Sequence, residues 1–84
     1  METVMDKIER WKLLAQIFIQ NKDRVFIREI NGDLHFCTIN PNDNDSIIIE
    51  NFGPEQRAGK IEKVYWYSIS EFKEYKEKEG ENHG

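Results

Sequence analysis

At 84 residues the chain can build one small core, and with 38% hydrophobic against 33% charged residues that core has little apolar material to spare, which makes oligomerisation an expected source of stability. A net charge of -4 excludes a protein that coats nucleic acid by bulk electrostatics, so any nucleic-acid site must be local. A lone cysteine, Cys37, excludes an internal disulfide, and no apolar run approaches the length of a membrane span; the expectation is a soluble, cytoplasmic protein with no membrane partner.

The first twenty residues read as a helix. Ile8, Trp11, Leu14, Ala15 and Phe18 recur at steps of three and four, with Asp6, Glu9, Arg10 and Lys12 mostly opposite. Thr3 and Asp6 form a capping pair, and the stripe breaks at Gln20 to Asp23. The balanced charge makes this helix a lid on a β core rather than a membrane or partner helix.

From Arg24 the texture becomes β. RVFIREI runs through Asn31-Gly32 into DLHFCTI, and Asn-Gly between two such runs predicts a hairpin. NPNDND, residues 40–45, is a turn, because Pro, Asn and Asp preset φ or bond their own backbone. SIIIENF is a third strand, whose three consecutive isoleucines predict burial on one face and partial cover on the other. GPEQRAGK is a hairpin loop and IEKVYWYSIS, residues 61–70, a fourth strand. EFKEY is a fifth strand or a helical turn. Residues 1–76 form the domain, and residues 77–84 a charged, disordered tail. A helix followed by five short, strongly bent strands predicts a small barrel, mainly β.

Several constellations suggest chemistry and fall short of it. His35 and Cys37, two apart on one strand, share a face, but no third group orients them as base and nucleophile, so no enzyme is expected. One Cys and two His lack zinc spacing, and the Asn/Asp run at 40–45 lacks the glycine and distal glutamate of a calcium loop; neither a metal nor a cofactor is expected. GPEQRAGK has five residues between its glycines where a phosphate loop has four, and Ile61 stands where Ser or Thr would bind magnesium.

KVYWYSIS sets three aromatics side by side, which in a strand cannot all face one way. Either Val64 with Trp66 or Tyr65 with Tyr67 faces the core, with Ile69 also expected inside. This stretch also carries a family resemblance. Tyr65, Ser68, Ile69 and Ser70 resemble the second sequence motif of Sm-like (LSm) proteins, in particular the bacterial Hfq branch. Ile30-Asn31-Gly32 resembles the turn of the first motif, with Ile39 and Asp43 at its apolar and acidic positions and SIIIENF at the central strand. By element order the resemblance covers roughly residues 4 to 75.

The resemblance implies a five-stranded Sm-like (SH3-like) barrel that assembles, fourth strand to fifth, into closed homo-oligomeric rings of about five to seven subunits. It also implies binding of single-stranded RNA without a chemical step. Matched residue by residue, the loop amide of the RNA site is Asn44. The base-stacking position beside it is Asp45, which cannot stack, and Ile47 stands where Sm proteins prefer Asn. Trp66 and Tyr67 replace the family's basic residue and its neighbour, so stacking is expected to have moved onto these rings. Arg57 and Lys60, with Lys63, are the local cations, and residues 53–70 carry a net charge of only +1. The expected site is therefore Asn44, Trp66, Tyr67, Arg57 and Lys60. A second expectation follows from the acidic charge: an oligomeric scaffold or protein-interaction module that has lost the nucleic-acid site.

Overall fold

The computed structural model describes residues 3–76, so the tail expected at 77–84 lies outside the described residues. Helix α1, Val4–Asn21, starts on the expected pair: the Asp6 amide donates to Thr3 Oγ1 at 3.1 Å and the Thr3 amide to Asp6 Oδ2 at 3.2 Å. It ends where Lys22 turns left-handed at φ 58°, its amide donating to the Ile19 carbonyl while that of Asp23 donates to the Phe18 carbonyl. Ile8, Trp11, Ala15 and Phe18 are buried, Leu14 partly so. Phe72 receives this face, with ring centroids 6.0 Å from Trp11 and 5.7 Å from Phe18. Each large side chain buried here stabilises the fold by about 1.5–3 kcal/mol.

Five strands follow: β1 Val25–Glu29, β2 Leu34–Pro41, β3 Ser46–Gly53, β4 Ile61–Tyr65 and β5 Ile69–Glu74. They form one antiparallel sheet in the order β4-β3-β2-β1-β5, and β4 and β5 are its two edges, so the barrel is not closed. Strand alternation points Val25 and Ile27, Cys37 and Ile39, and Ile47 and Ile49 into the core beneath α1. Ile48, between the last two, is partly covered, as the isoleucine run predicts.

The turns follow from their residues. Gly32 sits at φ 96° with its amide on the Glu29 carbonyl, and Asn31 Oδ1 accepts the Asp33 amide at 2.9 Å. Beyond β2, Asp43 Oδ1 accepts from the Asp45 amide at 2.9 Å and from the Ser46 hydroxyl at 2.8 Å. Asn40 and Pro41, expected in this turn, instead pair with Ile48 and Ile47 as the end of β2. EFKEY resolves as strand: β5 runs through Glu74.

The expected fourth strand over 61–70 needs correcting. It breaks after Tyr65 into a 3-10 turn, Trp66–Ser68, that swings the chain from one edge of the sheet to the other. The Trp66 amide leaves the ladder for the Asp45 carbonyl at 2.9 Å, and the Ser68 hydroxyl donates to the Tyr65 carbonyl at 2.8 Å. The turn absorbs one residue and a β-bulge of β5 against Arg28 and Glu29 another, so the inward positions run Val64, Trp66, Ile69, Phe72, a step of two followed by steps of three. Trp66 and Ile69 are thus both core, which continuous alternation forbids.

Candidate nucleic-acid interface

The turn that breaks the strand also separates its aromatics. Trp66 is 4% exposed and meets Phe72 edge-on at 5.3 Å, so its ring belongs to the core and offers no face to a base. This corrects the expectation that Trp66 stacks RNA; the inward step of β4 places it there. Tyr67 is 64% exposed and lies on Tyr65 with centroids 5.3 Å apart and planes 24° apart, a true stack. Lys63 Nζ stands 4.9 Å from the Tyr65 centroid. The Tyr65 contact, and after it Asp43, hold the Lys63 ammonium above its ordinary pKa.

Asn44 lies on the same end of the molecule. Its turn is tied to the aromatic turn by the Trp66 amide and by the pairing of Ser46 with Tyr65. Asn44 and Trp66 border one hollow against Ala15 and Gln16 of α1, and Asn44 is exposed. On the other side of the turn, a groove of about 260 Å³ runs between the start of α1 and the sheet, walled by Tyr67, Ile30, Trp11 and Lys7. Tyr65, Tyr67 and Lys63 thus stand together, with Asn44 in the hollow on one side of the turn and Lys7 across the groove on the other. Two carboxylates share this end, and the Asp43 carboxyl is held below its ordinary value by the Ser46 hydroxyl and the Asp45 amide.

Arg57 and Lys60 are not part of this constellation. They occupy the loop at the far end of β4, with Lys60 about 17 Å from Tyr65 at the strand rise of 3.3 Å per residue. That loop is pinned rather than free. Its 3-10 segment Glu55–Arg57 is followed by Gly59 at φ 87°, and the Gly59 amide donates to the Asn51 carbonyl at 2.8 Å. Arg57 reaches Asp33 at 3.1 Å and Glu62 at 3.3 Å, which commits its guanidinium within the fold. Lys60 is exposed beside it.

What Arg57 caps is a polar plug inside the open end of the barrel, which the sequence reading missed. His35 is fully buried, with Nδ1 at 2.9 Å from Asn51 Oδ1 and Nε2 at 2.7 Å from Glu29 Oε2. Asn51 Nδ2 donates to the Lys60 carbonyl at 3.0 Å and to Glu62 Oε2 at 2.9 Å. Residues from β1, β2, β3 and β4 thereby meet in one hydrogen-bonded cluster. His35 therefore has partners other than Cys37. The buried Cys37 thiol lies 3.7 Å from the Val25 carbonyl, and burial foremost, then the Glu62 charge, pushes its pKa up to about 12. A thiol held protonated is no nucleophile.

Among the described residues no group of three or more His, Cys, Asp or Glu side chains is placed to hold a metal, and no helix is long and apolar enough to cross a membrane. The chain matches no protein-family model and no curated protein.

Proposed function

We propose that the protein is a Sm-like subunit that binds single-stranded RNA in the cytoplasm, stacking a base on Tyr67 while Asn44 supplies amide hydrogen bonds. The observation that carries this reading is the exposed Tyr65–Tyr67 stack with Lys63 on its face. A stacked pair presents one open ring face, and each base stacked on such a ring gains about 1–3 kcal/mol. Lys63 and Lys7 supply the charge. With two such cations the logarithm of affinity falls against that of salt with a slope of about -1.4, at about -0.7 per phosphate contacted on a single strand.

Assembly into a homo-oligomeric ring is part of the same reading. The sheet leaves β4 and β5 as open edges, and the β4 edge carries Ile61 at 69% exposure. Pairing β4 of one copy with β5 of the next satisfies both edges and buries that side chain.

The test combines the mass of the purified oligomer with anisotropy titrations of labelled U12 and A12 RNA. Binding that weakens about 5- to 150-fold on Tyr67→Ala, the equivalent of 1–3 kcal/mol, supports the reading. No binding of either oligomer at low salt removes it. A second reading, an oligomeric scaffold or protein-interaction module without RNA, is favoured by the core position of Trp66 and the ion pairs of Arg57, which take two of the five expected RNA ligands out of play. It requires an intact oligomer with no RNA bound.

A further inference from the structure

The outer face of the sheet carries a second aromatic cluster that has no part in the RNA reading. Phe26 of β1, Phe36 of β2, Phe52 of β3 and Tyr75 just past β5 occupy outward positions, alternating with the core residues Val25, Ile27, Cys37 and Asn51. Phe36 is the hub, with centroids 5.5 Å from Phe26, 6.4 Å from Phe52 and 5.1 Å from Tyr75. Phe52 and Tyr75 close the group at 5.8 Å. The register sets Gly53 opposite Phe36, and a Cβ there would stand 3.2 Å from the Phe36 ring. The glycine lets the ring lie across the neighbouring strand. Four contiguous rings on an outer face, with Phe52 39% exposed, mark an interaction surface.

The rim is basic although the chain is acidic. Arg24 lies over Phe52 at 4.7 Å, and Arg28 and Lys73 over Phe26 at 5.8 and 5.3 Å. Lys76 joins them along a cleft of about 360 Å³ bordered by Phe26, Phe36 and Tyr75, where Glu71 and Glu74 are the acidic members. Glu71 pairs with Lys73 at 2.8 Å and Arg28 at 3.4 Å. With Glu50, two residues before Phe52 on the same outward phase, four cations face three carboxylates, which leaves this face at +1 in a chain of -4.

The ring geometry selects the occupant. The four contacts are all tilted, by 36–51°, and cationic heads lie over the faces of Phe26 and Phe52. A nucleobase needs an open flat face. A cleft between tilted rings instead accepts one branched or aromatic side chain, and the surrounding guanidinium and ammonium groups accept carboxylates. We propose that this face docks an acidic segment of a partner protein, which lays an apolar side chain into the cleft bordered by Phe26, Phe36 and Tyr75 and sets carboxylates on Arg24, Arg28 and Lys73. The inference is independent of the RNA reading and uses none of its residues.

The probe is a fluorescein-labelled nonapeptide, Asp-Glu-Asp-Phe-Asp-Glu-Leu-Asp-Glu, titrated against the full chain by anisotropy and by amide and aromatic NMR shifts. Saturable binding that perturbs Phe26, Phe36, Phe52 and Tyr75, and that drops at least tenfold in both Phe52→Ser and Arg24→Glu, is the expected result. Both positions are exposed, and unchanged circular dichroism confirms that each variant folds. Replacing Phe and Leu of the peptide with Gly should abolish binding, while Tyr67→Ala in the protein should leave it intact. Equal binding of a lysine-for-acid peptide, absence of shifts at the four rings, or U12 RNA shifting those rings in place of the peptide each overturns the proposal. So does a concentration-dependent self-association that Arg24→Glu abolishes, since the face would then belong to a second copy. Loss of U12 binding in Tyr67→Ala with peptide binding retained separates this face from the RNA site.

Discussion

The imidazole of His35 and the amide of Asn51 form a fully internal hydrogen bond, Nδ1 to Oδ1 at 2.9 Å, and the orientation of each is fixed by its other partners. Asn51 gives both Nδ2 protons to acceptors, the Lys60 carbonyl and Glu62, so its oxygen must face His35 and Nδ1 must donate. Nε2 then meets the Glu29 carboxylate at 2.7 Å. No buried side-chain nitrogen or oxygen among the described residues lacks a partner. Removing one member therefore strands the others, at about 1–3 kcal/mol for each buried group left unsatisfied. Asn51→Leu is expected to lower stability by about 3 kcal/mol on that basis. Arg57→Ala removes only partly exposed ion pairs and should cost less than about 1 kcal/mol. Urea midpoints at unchanged m-values check both, and equal losses in the two variants would show that the plug does not act as described.

Trp66 and Tyr67 are neighbours in sequence with opposite environments, and their substitutions should separate stability from binding. Trp66→Ala empties a site packed against Phe72 and is expected to cost about 3–5 kcal/mol. Tyr67→Ala removes an exposed ring and its stack on Tyr65 and should cost no more than about 1.5 kcal/mol. Thermal melts with the RNA titration on the same samples decide the matter. A stable Tyr67→Ala protein with unaltered RNA affinity would end the stacking role of this ring.

The elements that the sequence announced are those governed by local rules. Thr3 with Asp6, the Asn31-Gly32 turn, the helix stripe and the isoleucine run each act within a few residues, and each appears as expected. The break at Trp66 contains neither Gly nor Pro, and the Asp45 carbonyl that captures the Trp66 amide comes from a remote turn. Even so, apolar residues at 64, 66, 69 and 72 cannot share one face of a single strand, and that spacing was the available signal. The polar plug had one too. His35, Asn51 and Glu62 each fall in phase with inward neighbours, Cys37, Ile49 and Val64, and polar residues at core phase imply a buried network. The outer rings, at the opposite phase, were legible from the same alternation.

The β4 edge offers a test of assembly that spares the interior. Ile61 is exposed at the start of β4, and its backbone neighbour on the inner side is Glu50 of β3. Placing a lysine at an open edge opposes strand addition without touching the core. If copies join through β4 as proposed, Ile61→Lys should give a species smaller than the parent protein by light scattering, with circular dichroism unchanged. An oligomer of undiminished mass would mean that β4 does not join copies.

Cys37 provides a pH signature of the closed core. Its folded pKa is raised, from 9.0 to about 12, so below about 9 both states hold the proton and its contribution to stability is complete. Between 9 and about 12 the unfolded chain releases the proton while the native thiol keeps it, so stability falls as pH rises through that window. That displacement corresponds to at most about 4 kcal/mol. Lysines and tyrosines titrate in the same range, so the measured quantity is the difference between the native chain and Cys37→Ala. The variant starts less stable at neutral pH, having lost buried volume, and the gap between the two should narrow steadily above pH 9. Thiol labelling gives the kinetic counterpart: a sulfhydryl reagent should react only through opening, far more slowly in native protein than in denaturant. A gap that stays constant to pH 11, together with rapid native labelling, would place the thiol in contact with solvent and contradict the buried position on which the shift depends.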